Sequence, residues 1–436
     1  MKIATILNKS EGIKKYFFNT FWLFAEQAQK LVLAFAVGVF VARYLGPTEY
    51  GKFSYAQGFV GLFAVLSQMG LNSIVVRDIV RKRYDNQELL GAAWLLQFLG
   101  GILTLSISSL GLLFLNAGVE VKYMVVLIAS AEIAKSLNVI KLYFEANVKT
   151  KYLAKVSLFQ SLLTAVVKIL LIVFKANVIW FGFVVLLDAS FAAVGLIIVY
   201  RIAEGKISHW TIKKYTLVRL LKDSWPMIFY GLALQIQAKI DQVMLGNMVG
   251  EEEVGYYSVA LKIIEIFVMF PFVLVKSLAP SITEAKEKSK ELYERRLLNL
   301  YRLFFLIFLV YGGTIYLVSE PMIVIVYGEE FREAGILLSL FAIRLLFNCM
   351  GIAKSTFITN ESLFHHGMIA AIVGAIVNIS ANYYLIPLYQ SRGAIIATII
   401  SFTTFVFLID VVNPRTRNNL RLMIKGMFTF FLLKKV

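Results

Sequence analysis

The sequence has little of what most enzyme chemistry requires. Its 436 residues include one cysteine and three histidines. Cys349 lies within an apolar run, which leaves no disulfide and no thiolate metal site to build. His209, His365 and His366 fall in or beside basic loops and read as solvated side chains, so no metal and no cofactor is expected. No polar stretch is long enough for an ATPase domain. The stretch Gly46–Phe53, GPTEYGKF, has the spacing of a phosphate-binding loop as far as Gly51 and Lys52. It lacks the Ser or Thr that should follow and sits between two apolar spans, which argues against a nucleotide site. The longest loop on the side away from the basic loops, Glu320 to Glu333, is short for the paired acids and bases of glycosyl transfer. No catalytic residue is assigned, and catalysis is not expected.

Charge is scarce as well. Charged residues make up 16% of the chain against 59% hydrophobic and 14% aromatic, and the mean hydropathy is +0.75. That balance lies far outside soluble domains and defines an all-α polytopic membrane protein. Apolar runs close to the ~20 residues needed to cross a hydrocarbon core recur along the whole chain. They predict twelve spans, at 15–42, 53–76, 89–115, 123–145, 153–174, 178–200, 225–248, 255–280, 298–319, 334–357, 363–386 and 394–412. Lys2, Lys9, Lys14 and Lys15 precede the first run in the manner of a signal peptide. That run is too long, carries Glu26 and Lys30 and leads to no small-residue cleavage site, so it reads as a retained helix. Met423–Leu433 is apolar but about half a span, which suits an interfacial helix.

Basic residues set the orientation. With the N-terminus inside, the inner segments carry most of the Lys and Arg, notably Arg77–Arg83, Lys206–Lys222, Lys286–Arg296 and Arg415–Lys435. The alternate loops hold only Arg43, Lys52, Lys122, Lys175, Arg332 and Arg392. Both termini are therefore expected inside. Basic loops beside anionic headgroups account for most of the net charge of +17, and no nucleic-acid partner is implied.

One loop occurs twice. Leu45, Gly46, Tyr50, Gly51, Phe53, Ser54 and Ala56 return as Leu245, Gly246, Val254, Gly255, Tyr257, Ser258 and Ala260. A second match lays Lys155–Ile169 on His365–Ile379, with Lys168 opposite Asn378. The chain thus divides into a six-helix half at 1–200, a basic linker at 201–224, a second half at 225–412 and a basic, amphipathic tail at 413–436. Six spans per half give both halves one orientation, a parallel repeat of the kind that rocks about a central site.

Charges inside spans carry the functional information, because each costs a few kcal/mol at the membrane centre. Helix by helix they are Glu26 with Lys30, Glu132 with Lys135, Lys141 with Glu145, Lys168, Asp188, Lys239 with Asp241, Lys262 with Glu265, and Arg344. The close pairs Glu26/Lys30, Glu132/Lys135, Lys141/Glu145 and Lys262/Glu265 have a plain structural reading as mutually neutralising ions. Lys168 has one as a side chain that snorkels. Arg344 has no carboxylate within four residues and is the strongest single candidate for a functional cation. The candidate cationic cavity comprises Lys30, Lys135, Lys239, Lys262 and Arg344, with Glu26, Asp188 and Asp241 as counterions or ion-coupling sites. An interior with so many ammonium and guanidinium groups suits a phosphate-bearing substrate better than a hydrophobic cation.

The run Ala42–Gly51, ARYLGPTEYG, leading into Phe53, Ser54 and Ala56, resembles the signature of the polysaccharide-unit, Wzx-like flippases, within the superfamily that also holds multidrug exporters and lipid II flippases. The second copy, from Ile240, Asp241 and Gln242 to Ala260, is similar to that family's connection between helices 7 and 8. The resemblance spans nearly the whole chain, but a clear thirteenth and fourteenth helix are lacking. It implies a V-shaped bundle of twelve helices in two six-helix repeats, with a cavity lined by helices 1, 2, 7 and 8. It also implies a polyprenyl-pyrophosphate-linked glycan as substrate, moved across the inner membrane beside a polymerase and a chain-length regulator. Lys30, Lys239 and Lys262 would then neutralise the pyrophosphate, and Tyr55, Gln57, Gln68 and Gln235 would face sugar hydroxyls or simply pack. The alternative within the superfamily is a cation-coupled exporter of small molecules.

Overall fold

A computed structural model describes the backbone of residues 2–115 and 117–432, with side chains at 29, 31–115 and 117–432. Among the described residues the regular structure is helical throughout. In hydrocarbon each backbone N–H and C=O must be paired within its own segment, so apolar runs of this length can only coil.

The first helix, α1 (Lys2–Gln68), turns at Gly46, whose φ of 70° lies where a side chain would be strained, and Pro47 follows. After α1 come α2 (Asn72–Val80), α3 (Asn86–Gly111), α4 (Val119–Ala134), α5 (Val139–Ala146), α6 (Thr150–Val173) and α7 (Val178–Ala203). A 3₁₀ turn, Lys135–Asn138, joins α4 to α5. The later part is α8 (Lys214–Met248), α9 (Glu251–Lys288), α10 (Lys290–Tyr327), α11 (Arg332–Phe341), α12 (Arg344–Asn360), α13 (Phe364–Thr403), α14 (Ile409–Val412) and α15 (Pro414–Phe428). The α13 helix breaks at Gln390 and continues through a π-helical stretch, Thr404–Leu408, into α14. Starts are marked by side-chain caps: Asn177 accepts from Ile179 N at 3.0 Å and Ser289 from Leu292 N at 3.1 Å.

Eight helical stretches among the described residues are long and apolar enough to cross a membrane, nine with the bent pair α11 and α12. The first and last of these, Leu31–Val80 and Phe364–Val412, run 50 and 49 residues, more than twice the ~20 that one crossing needs. Dividing them at Gly46 and Gln390, and adding the more polar α8, gives helices at all twelve expected positions. The α8 helix falls short in apolarity because Gln235, Gln237, Lys239, Asp241 and Gln242 share its membrane turn.

The chain forms two compact units. The first holds residues up to Leu45 and Ala56–Leu232; the second holds Gly46–Tyr55 and Ala233–Val436. This departs from the sequence division in two ways: the boundary falls within α8 rather than before it, and Gly46–Tyr55, the inner part of the first copy of the repeated loop, packs in the second unit. The expected linker is half helical, since α8 begins at Lys214. In the first unit Leu89, Leu90, Val139, Ile140 and Phe144 form a core in which all five are buried. Burying each such side chain contributes ~1.5–3 kcal/mol where the alternative is water. In the second, Tyr301, Phe304, Met350 and Ala353 do the same, and Met423 of α15 joins them.

Both copies of the repeated loop meet in the second unit. A Cβ on Gly51 would lie 1.7 Å from the Glu251 carbonyl oxygen, and one on Gly255 would lie 2.1 Å from that of Pro47. Each glycine thus rests on the residue four positions before the other. The contact is reciprocal, and the repeat is the reason. Tyr55 is buried with its ring against Gly246, and its hydroxyl finds no partner, so it packs rather than faces a cavity.

Candidate functional site

The side chains of Glu26 and Lys30 lie outside the described residues. In the first unit Lys135 sits in the 3₁₀ turn after α4 and pairs with Glu132 at 2.5 Å. Glu132 is buried and also accepts from Ser67 Oγ at 2.5 Å. Lys135 therefore takes the neutralising role open to it from spacing. Lys135→Met is expected to cost ~1 kcal/mol of stability, since the lysine is 43% exposed and screened by solvent. Thermal unfolding of the purified protein checks it. Lys141 lies 3.8 Å from Glu145. Asp188, half-buried on α7, accepts from Thr164 of α6 at 2.8 Å, one turn before Lys168.

The second unit gathers the other candidates. Lys239 of α8 lies 3.9 Å from Glu265 of α9. Lys262 donates to the Tyr50 hydroxyl at 3.0 Å, with its ammonium 5.5 Å from the ring centre, and makes no ion pair with Glu265 within 4 Å. The expected Lys262/Glu265 pair is replaced by these contacts between helices. Gln237 donates to the Ala371 carbonyl at 2.9 Å, whereas Gln57 and Gln68 are exposed.

Asp241 is 1% exposed and accepts three hydrogen bonds, from Tyr257 Oη at 2.6 Å, Asn382 Nδ2 at 2.6 Å and Thr398 Oγ1 at 2.5 Å. All three donors are neutral. No lysine pairs with it among the described residues, and the Arg344 cation acts on Tyr257, whose hydroxyl donates to Asp241. One turn along α13 from Asn382, Asn378 is buried with both amide atoms unpaired, and Asn382 Oδ1 is unpaired too. Such orphans are costly in an apolar interior unless something else uses them. Spacing showed Asp241 but not these partners, although two asparagines four residues apart in an otherwise apolar helix are a visible signal.

Arg344 opens α12, where the path bends by 47° from α11. The bend turns the guanidinium inward, where it is 8% exposed, 5.1 Å from the Phe402 ring and 5.7 Å from the Phe341 ring. Its Nε is buried without a partner, and no carboxylate pairs with it among the described residues. It lines a cavity of about 210 Å³ with Gln237, Phe347, Asn348 and Phe405. Two rings lie within cation–π range of the guanidinium and its Nε is left unpaired, so the group keeps hydrogen-bonding capacity for an anion.

The fold is one found in transporters. A multidrug resistance MATE family transporter of the MOP superfamily, solved facing inward, superposes with a TM-score of 0.67 over 94% of this chain and 96% of its own, at 15% identity. The lipid II flippase MurJ, in an inward closed conformation, gives 0.71 over 95% and 92% at 14% identity. The protein is thus a multi-pass membrane protein with the fold of this superfamily. Residues 17–286 match the family described as polysaccharide biosynthesis protein, and the chain belongs to that family. Residues 226–384 also match the MatE family. "Probable flippase AglR" of Haloferax volcanii is 27% identical over 168 residues, a match covering 38% of this chain and 35% of that protein's length.

Proposed function

We propose that the protein is a flippase for polyprenyl-pyrophosphate-linked oligosaccharide repeat units, carrying them from the inner to the outer leaflet of the cytoplasmic membrane by alternating access, with both termini inside. Arg344 carries this reading: a buried, carboxylate-free cation on a cavity attracts an anion. The pyrophosphate is the group whose transfer through hydrocarbon is most costly, and fixed cations lower that cost while the polyprenyl tail stays in lipid. Lys239 and Lys262 add positive charge in the same unit. Family membership and the flippase name borne by AglR support the substrate class. A polymerase and a chain-length regulator are its natural partners.

Asp241 is proposed as the coupling site. Its buried carboxylate and the unpaired Asn378 and Asn382 oxygens suit the oxygen coordination that small hard cations prefer. Asp241→Asn is expected to lower the melting temperature by a few degrees, because its NH₂ group takes the place of a carboxylate oxygen that accepts from a buried donor. The same variant loses any dependence of transport on a proton or sodium gradient. Transport that keeps its full ion dependence in Asp241→Asn contradicts the assignment.

The function is tested by deleting the gene in its native host and measuring lipid-linked repeat units on each leaflet together with surface glycan. Accumulation on the inner leaflet with loss of surface glycan, restored by the wild-type gene, is the expected result. An unchanged glycan and lipid-linked pool, with altered drug sensitivity, indicates the small-molecule exporter instead.

A further inference from the structure

A buried cluster of titratable groups lies in the second unit, and the transport reading makes no use of it. His366, in the first turn of α13, is 9% exposed. Its Nε2 is 2.7 Å from Asp410 Oδ1 and its Nδ1 is 3.3 Å from Asn413 Nδ2. Asn413 is in turn the N-cap of α15, its Oδ1 accepting from Arg415 N at 3.0 Å.

These contacts fix the protonation of the imidazole. A backbone N–H can only donate, so the Asn413 atom facing Arg415 is the oxygen. The atom facing His366 is then the NH₂ group, which also only donates. His366 Nδ1 must carry a lone pair, and the proton sits on Nε2, donating to Asp410. Asp410 Oδ1 also accepts from Lys354 Nζ at 2.7 Å. That ammonium bonds the Val406 carbonyl at 3.0 Å, within the π-helical stretch where the usual backbone pairing is shifted. With His366 neutral, one carboxylate balances one ammonium.

The groups facing this cluster come from every neighbouring helix. Lys354 comes from α12 and Asp410 from α14; from α15, Thr416 Oγ1 donates to the Asp410 carbonyl at 3.0 Å. From α10, Tyr301 is close enough to feel the Asp410 charge and donates to Asn419 Oδ1 at 2.7 Å. His365 is exposed. Asp410 Oδ2 is buried and unpaired, so the carboxylate retains capacity for a second cation.

We propose that His366 is a proton-binding site whose occupancy sets the state of the C-terminal helix α15. A proton added to Nδ1 points at the Asn413 NH₂ group, donor against donor. Relief requires the amide to turn over and offer Oδ1 to the imidazolium. The NH₂ group then faces the Arg415 N–H, and the cap of α15 is lost. One bound proton is thereby exchanged for the start of a helix that carries Arg415, Arg417, Arg421 and Lys425. With the topology proposed above, the site reports acidity on the inner side.

The test needs no substrate, so its outcome is separate from the flippase reading. Hydrogen exchange across α15 is followed in the full-length protein in lipid nanodiscs at pH 8 and pH 5, the window in which histidines change charge, with rates corrected for the chemical pH dependence. Nitrogen-15 NMR on histidine-labelled protein reads the tautomer, and the loss of one signal in His366→Gln assigns it. The expected result is an Nε2–H neutral form at pH 8 and an imidazolium at pH 5, with exchange at Arg415 and its neighbours rising about fivefold. His366→Gln removes the pH dependence, and Asn413→Ala exchanges fast at both pH values. A neutral His366 at pH 5, an Nδ1–H form at pH 8, or an imidazolium with unchanged α15 protection each overturns the proposal. The wild-type NMR and exchange decide it even if a variant fails to fold.

Discussion

Arg344→Ala leaves a folded, membrane-inserted protein in which translocation falls by at least about a hundredfold, the equivalent of ~3 kcal/mol of lost anion stabilisation. The protein survives because what is removed holds no acid in place. The guanidinium pairs with no carboxylate among the described residues, and its Nε is already unpaired, so the variant breaks no ion pair. The losses to stability are two cation–π contacts, each ~0.5–2 kcal/mol. For an anion in the 210 Å³ cavity the change is much larger, because its mostly apolar lining weakly screens a charge and offers little to replace the missing cation. Arg344→Lys should fall between, near a tenfold loss. It keeps the charge but neither the guanidinium's contacts with the Phe341 and Phe402 rings nor its paired donors. Translocation assayed at matched protein levels, with melting temperatures alongside, separates a lost site from a lost fold. Wild-type translocation by Arg344→Ala contradicts the assignment.

Gly51→Ala and Gly255→Ala are expected to be among the most damaging single-methyl changes at the described residues. At each position the new carbon lands within about 2 Å of a backbone carbonyl oxygen, and backbone cannot rotate aside as a side chain can. The segment Gly46–Tyr55 must move off Glu251 and Gly255, breaking the packing of Tyr50 on Phe331 as well. A melting temperature lower by more than ~5 °C and a severe loss of transport are expected. Both glycines serve one contact, so the double variant should cost little more than the worse single one. Gly313→Ala supplies the control: nothing lies within 4 Å of its added carbon, and a helix gains slightly from alanine there. Wild-type melting for Gly51→Ala would mean that the reciprocal contact is not held in solution.

The duplicated loop shows what a sequence can reveal about such a protein. Laying Gly51 on Gly255 was a matter of matching letters, and the reciprocal contact follows that register. The spans were legible because apolar length leaves a chain few choices in lipid, and Arg344 stood out because no acid lay near it along the helix. Local spacing failed where a partner comes from far along the chain. Lys262 faced Glu265 three residues away on paper but bonds Tyr50, 212 positions distant. The donors to Asp241 lie 16, 141 and 157 positions away, so its neutral donors could not be read from α8 alone. The place of Gly46–Tyr55 in the second unit was hidden for the same reason: a continuous apolar helix does not announce which unit its turn will join. Lys354, Asp410 and His366 likewise meet only once α12, α13 and α14 are packed.

The most direct test of the central claim uses purified protein in liposomes carrying a polyprenyl-pyrophosphate-linked saccharide, with leaflet distribution followed by a membrane-impermeant enzyme that cleaves only exposed glycan. Wild-type protein is expected to make the inner pool accessible over time, whereas Arg344→Ala, inserted in equal amount, is not. A lipid-linked pool that stays on its own leaflet with wild-type protein, while the same vesicles move a small organic cation against an ion gradient, would contradict the claim.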